Sequence, residues 1–209
     1  MRYFTLIALF TLFSCGNKED ILLPKANITI VKNVDDLSPI YIFFRTKGND
    51  TLVEVNRKNS IISTNWILNV DKRLPLRLAI PEIMKLQQRK REEKAHKNEK
   101  AENYYSYADT IGKNVAFIPF TNVYYRIDKP LSGGFIFYFK KDSDLVLINN
   151  IQIKKSEVLN YVYSFNFAIN PRIELVFDKN MSFEEYLQIK ILTRELDTFN
   201  KEVPEEYID

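Results

Sequence analysis

Two reactive residue types occur once each in the chain, the cysteine Cys15 and the histidine His96. A single histidine excludes a multi-histidine metal centre, and a single cysteine nearly excludes a Cys/His zinc site. His96 lies in a run of charged residues, where we expect it to be exposed and to lack the partner that orients a catalytic histidine. The sequence therefore predicts neither histidine-based catalysis nor a metal site.

The glycines and the acidic residues give no stronger sign of catalysis. The chain has 5 glycines and contains neither a glycine-rich phosphate-binding motif nor a nucleophile elbow. Asp71 and Asp178 each follow an apolar run and precede a predicted helix, a position where carboxylates stabilise helix N-termini. We interpret both as structural acids. We expect no catalytic residue, no cofactor and no enzymatic activity.

Cys15 ends a segment with the features of an export signal. Arg2 supplies a positive start, and residues 3–13 are apolar. This run is about half of the roughly 20 residues that cross a bilayer, so it predicts a cleaved signal peptide over residues 1–14. Leu12-Phe13-Ser14-Cys15 resembles the lipobox of bacterial lipoproteins, with Phe13 bulkier than the usual residue.

The lipobox resemblance implies that Cys15 becomes the first residue of the mature protein and carries fatty acyl chains such as palmitate. Several acyl chains anchor a protein stably, whereas one chain binds only marginally. Lys18-Glu19-Asp20 resembles the charged export tag of Bacteroidota surface lipoproteins. An outer-membrane location follows, in the periplasmic or the surface leaflet. The alternative to the lipobox is a plain secretory signal with a chance cysteine. The alternative to the export tag is an ordinary polar tether.

The mature chain has the composition of a folded α+β protein. Apolar residues make up 45% and aromatic residues 13%, enough to build a core. The net charge of +3 gives no sign of a nucleic-acid partner. Apolar alternation predicts antiparallel or mixed sheets with helices packed on one face. Three helices are predicted, from Pro75 to about Tyr105, from Glu157 to Phe165, and from a capping box at Ser182-Phe183-Glu184-Glu185.

The region from about residue 134 to 200 resembles the periplasmic domain of the ExbD/TolR family in the order of its elements. A strand at 135–139 leads through a turn to 145–151, where the family has an L-x-L-N-G-like segment, and Asp178 precedes an amphipathic helix. The family adds a last strand, for which Lys201-Glu202-Val203 is a poor candidate. Its transmembrane helix with a proton-coupling aspartate has no counterpart here. The resemblance therefore implies the fold and a tendency to bind envelope proteins or the cell wall, without proton coupling.

Similar segments recur in the two halves of the chain. Val70 to Leu76 resembles Phe177 to Phe183 at an offset of 107, and Ile42 to Arg45 resembles Phe137 to Lys140 at an offset of 95. The recurrence predicts two related lobes, with chance similarity of strand-rich segments as the alternative. The predicted divisions are a signal peptide (1–14), lipidated cysteine and tether (15–27), a first α+β lobe with a long polar helix (28–130) and an ExbD/TolR-like lobe (131–209).

Two sets of apolar residues are candidates for binding. The helix that begins at Ser182 has two apolar stripes, so it is either buried on both sides or shared between the sheet and a partner protein. The predicted partner-binding residues on it are Phe183, Tyr186, Leu187, Ile189 and Ile191. The tyrosines predicted to stack on sugars, if they are exposed and do not fill the core, are Tyr104, Tyr105, Tyr107, Tyr124 and Tyr125.

The leading functional interpretation is a lipid-anchored envelope protein that acts by protein–protein interaction. It would serve as an ExbD-like transport or scaffold accessory, and its partner would be an envelope protein or a second copy of the chain. The alternative is a surface lipoprotein that binds a glycan or nutrient through its tyrosines.

Overall fold

The computed structural model describes residues 20–93, 98–128, 135–165, 173–198 and 205–209. Within them the fold is α+β, with two mixed six-stranded sheets and three α-helices. Cys15, His96 and the predicted strand candidate at 201–203 lie outside the described residues.

The first sheet is built around parallel strands with a hairpin at one edge. Its strand order is β1-β5-β4-β2-β3, with β6 paired to β5. The pairs β1–β5, β5–β4 and β4–β2 are parallel, whereas β3 pairs antiparallel with β2 and β6 pairs antiparallel with β5. The elements of this half are β1 (Lys25–Ala26), β2 (Leu37–Lys47), β3 (Asp50–Asn56), β4 (Asn65–Val70), α1 (Leu76–Glu92), β5 (Asn103–Asp109) and β6 (Asn114–Pro119).

The second sheet has the order β10-β9-β8-β11-β12-β7. Strands β8, β11, β12 and β7 are mutually parallel, and β8, β9 and β10 form an antiparallel meander. Its elements are β7 (Tyr124–Arg126), β8 (Phe135–Phe139), β9 (Leu145–Ile148), β10 (Ile151–Lys154), α2 (Val158–Tyr163), β11 (Ile173–Phe177), α3 (Phe183–Thr193) and β12 (Glu205–Ile208), with short 3-10 helices at Lys155–Glu157 and Arg194–Thr198.

The junction between the two predicted lobes has the same backbone hydrogen bonds in both directions. Leu76 N donates to Met181 O (2.9 Å), and Phe183 N donates to Leu74 O (2.8 Å). The two donors, Leu76 and Phe183, are 107 residues apart, and so are the two acceptors, Leu74 and Met181. The bonds from Arg77 N to Lys179 O and from Glu184 N to Lys72 O repeat the relation. These bonds join positions that agree with the predicted offset of 107, and α1 and α3 begin side by side.

The second predicted offset is wrong by two residues. Asp71 N donates to Ile42 O (2.9 Å), and Asp178 N donates to Phe139 O (3.0 Å). Ile42 is thus equivalent to Phe139, at an offset of 97. Side chains of a strand alternate between its faces, so a shift of two residues keeps the apolar pattern and the sequence alone does not detect it.

The boundary between the sheets does not follow the predicted lobe boundary at residue 130. Strand β7 precedes that boundary, yet it pairs with β12 in the second sheet, with Glu206 opposite Tyr125. The buried apolar side chains of both sheets and all three α-helices form one cluster. The lobes therefore share one hydrophobic core.

Two predicted segments end elsewhere. The helix predicted to reach Tyr105 ends at Glu92, and Tyr104 and Tyr105 belong to β5, because a tyrosine-rich run favours a strand. The predicted tether at 15–27 includes residues that belong to the fold, since β1 pairs with β5. We name residues 22–26 the N-terminal strap.

The capping box at Ser182 is confirmed. The Ser182 side chain accepts a hydrogen bond from Glu185 N at 3.2 Å, at the start of α3. Among the described residues, no helix combines the length and the apolar character that crossing a membrane requires.

Candidate functional site

The predicted partner-binding stripe on α3 lies in the core. Phe183, Tyr186 and Leu187 are completely buried, and Ile189 and Ile191 are nearly so. The idea that this stripe is shared with a partner is therefore wrong. The helix is covered on both sides, because it packs against the shared core of the two lobes.

Most of the tyrosines that were predicted to stack on sugars are also not on the surface. Tyr105, Tyr107 and Tyr125 are buried, Tyr104 is half-buried, and only Tyr124 is exposed, at 43%. Successive residues of a strand point to opposite faces, so neighbours such as Tyr104 and Tyr105 cannot share one binding face. The sugar-stacking alternative, which needs exposed rings, therefore has an exposed ring only at Tyr124, and the core interpretation holds for Tyr105, Tyr107 and Tyr125.

The structure joins tyrosines from both predicted sets in one buried hydrogen-bonded chain. The hydroxyls of Tyr105 and Tyr125 lie 2.7 Å apart, and those of Tyr125 and Tyr186 lie 3.0 Å apart. Tyr186 then donates to Glu206 Oε2 at 2.7 Å, and the other Glu206 oxygen pairs with Lys190 Nζ. We name these five residues the tyrosine–carboxylate chain.

Sequence reasoning missed Lys190 and Glu206. The available signal was a charged residue on an apolar helix face, because Lys190 follows Tyr186 by four residues and four residues make about one helical turn. Glu206 gave no such signal, since it lies in a strand that the sequence did not predict. Both side chains are almost completely buried.

The tyrosine–carboxylate chain has a structural role. Burial, together with the nearby Glu206 carboxylate, raises the pKa of Tyr125 and Tyr186 well above the ordinary value, and burial likewise raises the pKa of Tyr105. The hydroxyls therefore stay protonated and serve as hydrogen-bond partners. Hydrogen bonds join the three hydroxyls and the carboxylate, and an ion pair joins the carboxylate to Lys190, which favours a single arrangement of the two lobes.

A small cavity of about 240 Å³ lies at the C-terminal end of α1. Its lining includes Lys90, Arg91, Asn103, Thr121 and Tyr124. The Arg91 guanidinium lies 3.8 Å from the centroid of the Tyr124 ring, which places a cation over an exposed aromatic face. We name this the distal cavity. The exposed member of the predicted sugar-stacking set therefore lines a cavity, but its ring face is already covered by Arg91.

Lys90 is a buried amine with three internal acceptors. Its Nζ donates to Thr64 O at 3.0 Å, Glu102 O at 3.1 Å and Asn103 Oδ1 at 3.0 Å. Desolvation by burial lowers the pKa of Lys90 to about 8, against a smaller opposing effect of the Glu102 carboxylate. The three bonds use all donors of the ammonium group, so Lys90 ties α1 to the starts of β4 and β5.

The lowered pKa of Lys90 predicts a rise in its stability contribution with pH. The unfolded chain keeps this amine protonated up to about pH 10.4, whereas the folded protein releases the proton near pH 8. Between these values the unfolded state binds more protons, so stability increases with pH. The acceptors around Nζ favour the charged form and reduce the effect. Urea unfolding at about pH 7 and 9.5 measures the free energy of unfolding of the wild type minus that of Lys90→Met. This difference should be larger at pH 9.5 by about 1–2 kcal/mol. A constant or shrinking difference contradicts the assignment.

Asp71 is buried beside the strap and fully bonded. Burial alone raises its pKa, but hydrogen bonds from the Arg73 side chain, Arg73 N and Leu22 N outweigh this and keep the pKa below its ordinary value. Arg73 approaches with two nitrogens, at 2.8 and 2.7 Å. Asp178 accepts from Asn180 N at 2.8 Å in the equivalent turn. These contacts agree with the interpretation of both residues as structural acids.

A groove of about 840 Å³ lies beside the strap, where it faces the second lobe. Its walls combine apolar side chains with Gln188, Arg194 and Glu195. Glu195 accepts from Tyr163 Oη at 3.2 Å. Across the described ranges, no group of three or more His, Cys, Asp or Glu side chains is arranged to hold a metal ion.

Comparison with known proteins assigns no family to the chain. No protein-family model, no curated protein and no solved structure matches it. From β8 to α3 the order is three strands, a helix, a strand and a helix. The predicted second strand at 145–151 instead ends at Ile148, because Asn149 and Asn150 form a turn that leads to the additional strand β10. Element order alone does not define a family or a function, so the lipoprotein and ExbD/TolR resemblances stay predictions.

Proposed function

We propose that the chain is a lipid-anchored envelope lipoprotein that binds an extended segment of another protein along the outer edge of β3. Cys15 carries the anchor, and the outer membrane is the proposed location, in either leaflet. The protein acts as a binding or scaffold component, without proton coupling and without catalysis. The observation that carries the proposal is the edge of the first sheet.

Strand β3 forms a long edge whose outer backbone groups have no strand partner among the described residues. It spans seven residues, Asp50–Asn56, and no described strand pairs with its outer side. It joins β2 through the two-residue turn Gly48-Asn49, with Gly48 at φ +61°, and Lys47 opposes Asp50. In such a hairpin the residues next to the turn exchange hydrogen bonds, and pairing alternates outward. The N–H groups of Thr51, Val53 and Val55 therefore point away from β2.

The N-terminal strap contrasts with this open edge because its outward groups are covered. Lys25 N donates to Glu184 Oε1 at 3.2 Å, and Lys25 O accepts from Gln188 Nε2 at 3.0 Å. Side chains of α3 thus take the place of a further strand. Long edge strands without proline, lysine or such a cover are templates for strand addition.

The buried ionisable groups support a binding role over catalysis. Asp71, Lys90, Lys190 and Glu206 are each bonded to groups within the protein. Catalytic groups need contact with a substrate, whereas these groups hold elements of the fold together.

The edge proposal predicts that Val53→Pro abolishes partner capture. Proline removes an outward N–H and is tolerated on an edge strand, so the pairing with β2 is kept. We expect binding to weaken at least about tenfold, which corresponds to about 1.4 kcal/mol. The measurement is recovery of envelope proteins from detergent extracts with the lipidated wild type and variants as bait.

Val53→Ala is the matched control, because it loses similar side-chain packing but keeps the N–H. It should capture the partner as the wild type does. Light scattering of the purified protein tests whether the occupant is a second copy. Equal capture by Val53→Pro and the wild type, or repeated absence of any partner and of self-association, contradicts the proposal.

A further inference from the structure

The N-terminal strap is fixed to both lobes. Lys72 N donates to Leu22 O, and Ala108 N donates to Pro24 O, each at 2.8 Å. These bonds hold the strap to the first lobe. Glu184 and Gln188 of α3 hold Lys25 from the second lobe. The chain therefore becomes part of the rigid fold at Leu22.

The strap lies at one end of the molecule, where both long helices begin. Leu22 is hydrogen-bonded to the turn at Asp71 and Lys72. The residues that come next in the chain, at the start of α1, form the reciprocal hydrogen bonds with the start of α3. We name this the junction end. The helix N-termini there bond to each other's preceding turns, so they do not form an anion site.

The opposite end carries the distal cavity. At the C-terminal end of α1, Lys90 bonds to Asn103 at the start of β5, and Arg91 bonds to Val123 just before β7. Strand β12 runs parallel to β7, so it also starts at this end and finishes at the junction end. Helix α1 has 17 residues, which separates the two ends by about 25 Å at 1.5 Å per residue.

The chain between Cys15 and Leu22 is short compared with the protein. It contains seven residue steps, which span at most about 25 Å when fully extended. A folded domain of this size has a radius of gyration of roughly 16 Å and is about 40 Å across. Even fully extended, the tether is no longer than the distance between the two ends, so an anchor on Cys15 holds the junction end nearer to the bilayer than the distal end.

We propose that the junction end faces the membrane and that the distal end, with its cavity, points away from it. The partner of the junction end is a lipid headgroup surface. Lys25, Arg77 and Lys179 are exposed there, whereas Asp178 and Asp209 are half-buried. This orientation rests on the lipid anchor of the proposed function.

Single labels at the two ends of α1 test the orientation. Lipidation blocks the thiol of Cys15, so Arg77→Cys and Glu92→Cys each give one free thiol, and both positions are exposed. The full lipidated protein is reconstituted in phosphatidylcholine vesicles that contain a headgroup-labelled acceptor dye. The label at Glu92 should lie about 20 Å farther from the headgroups, so its energy transfer should be at least about twofold weaker.

A long-tether variant is the matched control. Insertion of a flexible Gly/Ser segment between Asp20 and Ile21 should keep vesicle binding but make transfer from the two positions similar. Equal transfer from Arg77 and Glu92 in the native-length protein overturns the orientation. Mass spectrometry and vesicle flotation test the anchor separately. An unmodified Cys15 overturns both the anchor and this inference, whereas a lipidated protein with equal transfer overturns the orientation alone.

Discussion

Replacement of Lys190 by methionine is expected to destabilise the folded protein by about 3–5 kcal/mol, because it leaves the buried Glu206 carboxylate without its cation. Lys190 and Glu206 are 5% and 1% exposed, so water cannot take over the lost interaction. The remaining bond, from the Tyr186 hydroxyl to Glu206 Oε2, does not neutralise the charge. Equilibrium urea unfolding of the two proteins measures the difference directly.

The double variant Lys190→Met/Glu206→Gln distinguishes a buried charge from lost packing. Glutamine keeps an acceptor for Tyr186 but carries no charge, so the double variant should recover most of the lost stability. A double-mutant cycle then gives the coupling free energy between the two side chains. A loss below about 1 kcal/mol for Lys190→Met alone would show that the charge is solvated in the folded state.

Phe183→Ala is expected to cost about 3–5 kcal/mol of folding free energy. The Phe183 ring is completely buried and packs edge-on against Tyr105, with ring centroids 5.1 Å apart. Its removal leaves a cavity between α3 and the first sheet, since Tyr186 and Tyr105 are fixed by their own hydrogen bonds. Urea unfolding is again the measurement.

This substitution decides between a core role and a partner-binding role for the apolar stripe of α3. Arg89→Ala, on the exposed side of α1, is the control and should stay within about 0.5 kcal/mol of the wild type. If Phe183→Ala kept normal stability and lost only partner binding, the stripe would be a binding surface and not part of the core.

Local sequence signals identified many elements correctly. The capping box at Ser182 predicts the start of α3, because it depends on residues three positions apart. The run from Ile40 to Thr46, the turn at Gly48 and the alternation after it predict the β2–β3 hairpin for the same reason. The similar segments at Asp71 and Asp178 also form similar turns, each with a backbone hydrogen bond from the aspartate to a preceding strand.

The missed features depend on contacts between distant parts of the chain. Strand β12 begins with Glu205 and Glu206, residues that disfavour strands, and it forms because it lies between β11 and β7 and because Lys190 neutralises Glu206. The burial of both α3 stripes depends on the shared core. The predicted partner-binding stripe on α3 is therefore part of the core. Periodicity shows that its residues are apolar but does not show which part of the protein covers them.

The place of β12 within its sheet has a consequence for the order of biosynthesis. Strand β12 leaves the ribosome after every other strand of its sheet, yet it is an interior strand with neighbours on both sides. Until residues 205–208 have emerged, the second sheet has a gap between β11 and β7. The second sheet therefore cannot close before that point, so its completion comes late in synthesis.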